Sequence, residues 1–103
     1  MLAQADDRAE VLIYDEIGEN WWGEGVSAKR FTAELSAIEA AHIDVRINSV
    51  GGSVFEGNAI YNALERHPAR VETHIDGIAA SIASIIALAG ERVHIAENAF
   101  LMI

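Results

Sequence analysis

Between Val11 and Ile103 the apolar residues switch back and forth between a period of two and a period near 3.6, and no other feature limits the fold so strongly. Val11 to Tyr14 is a short apolar run of strand length, and the glycine-bearing stretch NWWGEG follows as a loop. A helix is predicted to begin near Ser27, because Phe31, Leu35 and Ile38 then share one stripe while Lys29, Glu34 and Glu39 face water. Ile43, Val45 and Ile47 alternate with Asp44, Arg46 and Asn48 as in a strand, until SVGGS breaks the pattern. Ser53 and Glu56 make an S-x-x-E capping box heading a second helix, which turns Ala59, Ile60, Ala63 and Leu64 inward and ends at HPAR. Val71, Thr73 and Ile75 predict a third strand, and residues from Ser81 to Ala89 a third helix stopped by Gly90 at its C′ position. Val93 to Ile95 and Phe100 to Ile103 close the chain as strands. The order β-α-β-α-β-α-β-β predicts an α/β fold of largely parallel strands joined by right-handed helical crossovers.

At 103 residues, 51% of them hydrophobic, the chain has enough apolar material for one domain spanning 1–103 and hardly for two. Asp and Glu outnumber Lys and Arg by 16 to 7, for a formal charge of -9, with no basic cluster to interrupt the field. Nucleic acid and anionic membrane are therefore not expected partners. The absence of cysteine excludes disulfides and thiolate chemistry and is compatible with a reducing cytoplasm. MLAQADDRAE lacks the basic start and apolar stretch of a secretory signal, and the run from Gly77 to Gly90 is shorter than the ~20 residues of a membrane helix. No metal site is expected, because the histidines are not at paired ligand spacing and the carboxylates read as solvated faces.

Two turns carry the chemistry. In successive βαβ units the loops after strand C-termini gather at one edge, which brings NSVGGS and DGIAAS to the same rim. Gly51 and Gly52 permit backbone dihedrals that aim an N–H outward. Ser81 falls at a helix start, where unpaired N–H groups favour developing negative charge, and Gly77, Ala79 and Ala80 leave room for a substrate backbone. A serine there is either a helix cap or a nucleophile.

The segments INSVGGSVFEGNAIYNAL and IDGIAASIASIIALAG together resemble the Clp-type serine peptidases, and the lead-in YDEIGENWWGEGVSAKRF is most similar to the phage head maturation proteases of that group. The likeness runs from about Val11 to the last residue, with an N-S-x-G-G turn followed by a G-x-A-A-S corner. The resemblance implies a crotonase-like (ClpP-like) βαβ superhelix and a serine endopeptidase acting through an acyl-enzyme. Ser81 is then the nucleophile, and the backbone N–H groups of Gly52 and Ile82 form the oxyanion hole. It also implies a peptide or protein substrate lying as an extended strand beside Gly51 and Gly52, a homo-oligomeric ring, no cofactor, and a cytoplasmic location. For phage relatives it implies scaffold or capsid proteins as substrates.

The chain departs from the family pattern at Val50, where a proline usually precedes the glycine pair. The family's general base follows a strand resembling AFLMI, so the resemblance places the catalytic histidine, and an aspartate with it, beyond Ile103. The 103 residues then form a C-terminally truncated domain, nearly inactive by itself. Two alternatives stand beside this reading: an acyl-CoA hydratase or isomerase of the crotonase type, and a non-catalytic assembly module. His42, His67, His74 and His94 read as outward polar residues rather than as the base, Asp76 as a turn former at a strand end, and Ser84 as packing. Trp21 and Trp22 read as core cover or an oligomer contact.

Overall fold

The computed structural model describes residues 2–5, 7–20 and 22–103. Nine elements follow in order: β1 (Leu2–Ala5), β2 (Arg8–Ile13), α1 (Ala28–Ser36), β3 (His42–Ser49), α2 (Val54–Arg66), β4 (Arg70–Ala80), α3 (Ile82–Ala87), β5 (Arg92–Ile95) and β6 (Phe100–Met102). The strands form one six-stranded sheet in the order β1-β2-β3-β4-β5, with β6 also paired to β4. All pairings are parallel except that of β1 with β2. The antiparallel β1 is absent from the sequence expectation, and the other elements appear in their expected order.

Because β2, β3, β4 and β5 lie side by side in chain order, right-handed crossovers deliver α1, α2 and α3 to the same face of the sheet. Strand alternation then decides what meets them. Ala9, Val11 and Ile13, Ile43, Val45 and Ile47, and Val71 and Ile75 are buried against Phe31, Leu35, Ile60, Leu64, Ile82 and Ile86. Thr73 is the polar member of this layer, fully buried, and its Oγ1 donates to the Ala87 carbonyl at 2.7 Å. The intervening residues face the other way and build an ionic layer there.

Several local expectations change in the tertiary setting. The Ser53 cap holds, with Oγ accepting from the Glu56 N–H at 3.3 Å, but Glu56 does not reach back to it. Its Oε1 accepts instead from the Ala28 N–H at 3.0 Å, so one carboxylate ties the start of α1 to the start of α2. Ala59 is exposed, and Gly57 takes the inward place on α2. The third helix ends at Ala87, and Gly90 is not in the left-handed region, so it is no C′ glycine; it is confined by Thr73, whose N lies 2.8 Å from where a Cβ would stand. Trp22 is 80% exposed, which removes the core-cover half of its reading and leaves the oligomer contact, and Trp21 lies outside the described residues. Among the described residues no helix is long and apolar enough to cross a membrane.

Strand β4 runs five residues past Ile75, so Asp76 is mid-strand and forms no turn. The Arg46 guanidinium donates to it twice, at 2.9 and 3.0 Å, and the Tyr14 hydroxyl donates as well. Burial works to raise the Asp76 carboxyl, but the bonds from Arg46 and Tyr14 outweigh it and hold the group below its ordinary 3.8. Asp44 behaves alike: burial raises it, and hydrogen bonds from His74 and Arg8 bring it below 3.8. A carboxyl with a lowered folded pKa contributes stability that is complete above its unfolded value and disappears as the pH falls through the folded one. Urea midpoints are therefore expected to fall as the pH drops below about 4, and Asp76→Asn should make that decline shallower while lowering the midpoint at neutral pH.

Candidate active site

Ser81 stands alone between β4, which ends at Ala80, and α3, which begins at Ile82. Strand passes to helix through this single residue, at φ 55 and ψ -129. It is the one non-glycine with positive φ among the described residues. Such a conformation costs about 1–3 kcal/mol and persists only where the surroundings enforce it. Here the Ser81 N–H donates to the Met102 carbonyl at 2.9 Å, while its own carbonyl accepts from the Ser84 N–H at 2.9 Å and the Ser84 hydroxyl at 2.6 Å. Ser84 is thus a buried brace for the corner. Ser81 does not act as a cap, because its side chain makes no capping hydrogen bond and the residue is exposed.

The glycine turn after β3 packs against this corner. At Gly51 (φ 98) a Cβ would lie 2.8 Å from the Ala80 carbonyl oxygen, 2.9 Å from the Ser81 Cβ and 3.4 Å from the Ile82 N. Only glycine permits that approach. Ile17 clamps the turn from the other side, donating to the Gly51 carbonyl at 2.8 Å and accepting from the Ser53 N–H at 2.9 Å. The clamp takes the groups on either side of Gly52 and leaves the Gly52 N–H without a hydrogen bond among the described residues. Ile82, as the first residue of α3, also has an N–H with no intrahelical partner. The sequence reading missed Ile17 because nothing in its neighbourhood shows which loop it will meet.

Gly57 is a second missed residue. A Cβ there would fall 2.2 Å from Cγ1 of Ile82, so α2 approaches α3 at the residue whose N–H faces the glycine turn. Gly57→Ala is expected to lose up to about 2 kcal/mol, because overpacking costs ~1–3 kcal/mol and alanine's helical advantage offsets only ~1 kcal/mol of it. Urea unfolding checks this, with a shared Ile82→Ala background expected to relieve the loss. Asn48, inside the N-S-x-G-G motif, also gains a role. The β3–β4 register shifts after Ile47, and the Asn48 Oδ1 fills the irregularity by accepting from the Ile78 N–H at 3.2 Å. Gly77 is required there, since a Cβ would stand 2.4 Å from that oxygen.

Open clefts flank the turn. One of about 470 Å³ is lined by Asp15, Glu16, Asn48, Ser49, Val50 and Ile78, and another of about 270 Å³ runs over Ile17, Gly18, Gly52 and Ser53. The exposed Val50, in the position of the family's proline, leaves both glycine conformations intact.

None of the four histidines stands beside Ser81. The Nε2 of His67 lies 3.1 and 3.2 Å from the Leu35 and Ile38 carbonyls at the end of α1, and its Nδ1 accepts from the Ala69 N–H. His74 precedes Ser81 by seven residues on β4, which is roughly 20 Å of strand, and His94 pairs beside it. His42 pairs still farther down β4, opposite Arg70. The segment that does reach Ser81 is β6, which runs parallel to β4 and sets Met102 opposite Ala80.

The structure thus defines a class of parallel α/β crossover folds in which an uncapped serine at a strained strand-to-helix corner packs against a glycine turn at the strand ends. Comparison with known proteins narrows the class. The family described as Clp protease matches residues 2–103, and the chain belongs to that family. It is 50% identical over 69 residues to the ATP-dependent Clp protease proteolytic subunit of Ligilactobacillus salivarius, covering 63% of this chain and 35% of that protein. The protein of the same description from Leuconostoc citreum is 39% identical over 88 residues, covering 82% and 41%. The structure of ClpP1 from Listeria monocytogenes superimposes with a TM-score of 0.66 at 30% identity, covering 80% of this chain and 46% of that one. The chain therefore matches less than half the length of these relatives, and the expected ClpP-like superhelix is the fold they share.

Proposed function

We propose that this domain carries the nucleophile and oxyanion hole of a serine endopeptidase. The observation that carries the reading is Ser81, held at φ 55 with its hydroxyl engaged in no cap. Strain without a local hydrogen-bond return is a feature of side chains presented for chemistry rather than for folding.

In the proposed reaction a base takes the Ser81 hydroxyl proton as Oγ attacks the carbonyl carbon of a peptide bond. Negative charge moves to the carbonyl oxygen, where the N–H groups of Gly52 and Ile82 receive it. The tetrahedral intermediate then collapses, the C–N bond breaks, and the base returns its proton to the leaving amine. Water, deprotonated by the same base, hydrolyses the ester. The base is a histidine following β6, a strand whose end already sits beside Ser81 through the bond to Met102. The substrate lies extended along Gly51 and Gly52 and pairs through its backbone, which makes recognition depend little on remote side chains.

The finer assignment is a head maturation protease that cleaves phage scaffold or capsid proteins inside a homo-oligomeric ring; the lead-in from Tyr14 to Phe31 supports it. A fluorophosphonate probe followed by peptide mapping tests the chemistry in protein expressed from its complete reading frame. The modified peptide should carry the probe on Ser81, and modification of Ser84 instead would overturn the assignment. Incubation with a phage capsid precursor tests the substrate, with a discrete trimmed product expected and an intact precursor counting against the finer assignment.

A further inference from the structure

The sheet face opposite the helices is not the bare polar surface that its sequence suggests. On β3, β4 and β5 the alternating residues His42 and Asp44, Glu72 and His74, and His94 stand on neighbouring strands, with Asp44 opposite Glu72 and His74 opposite His94. One ligand atom each from Glu72, His74 and His94 lies within 4.8 Å of the other two. Such a grouping is not visible in the expectation of no metal site. That expectation rested on spacing along the chain, whereas register across three strands makes the group.

We propose that Glu72, His74 and His94 form a binding site for a divalent transition ion, with Zn²⁺ as its representative. Two imidazoles and one carboxylate are a donor set that suits Zn²⁺, Co²⁺ or Ni²⁺ and does not suit the all-oxygen preference of Mg²⁺ or Ca²⁺. Ligands around a tetrahedral ion at bond lengths of ~2.1 Å stand about 3.4 Å apart, so no pair of the three need close by more than about 1.4 Å, while Glu72 and His94 must part slightly to admit the ion. The structure has that freedom. The Oε1 of Glu72 already meets Nε2 of His94 at 2.6 Å, and His94 is 45% exposed on a short strand, where its ring can tilt out of the stack it makes on His74. Asp44 holds Nε2 of His74 at 2.8 Å and steadies that ring, as carboxylates behind metal-bound histidines do. Arg70 is 4.0 Å from Glu72 but 3.0 Å from Glu91, so its stronger partner lies away from the site. The neighbouring group of His42, Asp44 and Glu72 offers one nitrogen instead of two, and its Asp44 is already bound by Arg8 at 2.7 Å.

The site lies on the opposite sheet face from the helices, so its test is independent of peptidase activity. Untagged protein is titrated with Zn²⁺ by calorimetry, with Mg²⁺ as the control and the visible spectrum of added Co²⁺ as a second readout. One Zn²⁺ per chain should bind, and His94→Ala and Glu72→Gln should each weaken binding at least about 10-fold, the scale on which even supporting residues of metal sites act. His42→Ala should weaken binding less than His94→Ala does, because His42 stands 3.5 Å from Glu72 and 3.3 Å from Asp44 as a neighbour of the site and not as a ligand. His94 is exposed, so its variant tests the site even if His74→Ala fails to fold. Failure of the unaltered protein to bind Zn²⁺, or undiminished binding by His94→Ala, overturns the proposal.

Discussion

Ser81→Ala in protein expressed from its complete reading frame is expected to abolish fluorophosphonate labelling and to reduce peptide hydrolysis by a factor on the order of 10⁶, the scale of removing the nucleophile from a serine protease. The fold should survive. The Ser81 side chain makes no cap bond, and the hydrogen bonds that hold the corner come from its backbone N–H and carbonyl, to Met102 and Ser84. Alanine keeps every one of those bonds and inherits the same positive φ, so unfolding midpoints should change little. The measurement is turnover of a fluorogenic peptide beside a urea unfolding curve. Retention of turnover would remove Ser81 from the chemistry, and a large loss of stability would show that its hydroxyl serves the fold.

Gly52→Val is expected to cut turnover at least about 100-fold, the scale of one lost oxyanion-hole donor, and to destabilise the domain as well. The second effect arises because Gly52 has φ 148 and a Cβ there would stand 2.2 Å from the Ile17 carbonyl oxygen. That oxygen is the acceptor for Ser53, so the clash opens the clamp that leaves the Gly52 N–H unpaired. Assaying the variant well below its midpoint separates the two losses. Normal turnover by folded Gly52→Val would exclude its N–H from the oxyanion hole.

The strands and helices up to Ile75 were legible because they are amphipathic over their own length. Ile43, Val45 and Ile47 alternate and are buried on one side, and Phe31 and Leu35 are the buried stripe of α1. The two turns were legible for a related reason. Glycine pairs and a serine among small residues advertise backbone conformations that few other residues accept, and the family resemblance set them in one site. By contrast, β1 went unseen: LAQA carries no alternation long enough to register, and its pairing with Arg8–Ile13 depends on a neighbour. The length of β4 was hidden by Gly77 and Ala79, which look like a loop until the Asn48 bond and the pairing with β6 hold them extended.

The sequence alone thus determined the alternating α/β order, most of the inward faces, and the presence of a glycine turn and a serine corner, because these depend on contacts within a few residues or on a periodicity the chain carries itself. The tertiary structure decided that the Ser81 hydroxyl caps no helix. It also decided that Ile17 clamps the glycines, that Gly57 admits Ile82, and that Glu72, His74 and His94 converge. Each of those outcomes is a distance between segments far apart in the chain. Strand register and crossover handedness set that distance, and no local pattern of side chains encodes it.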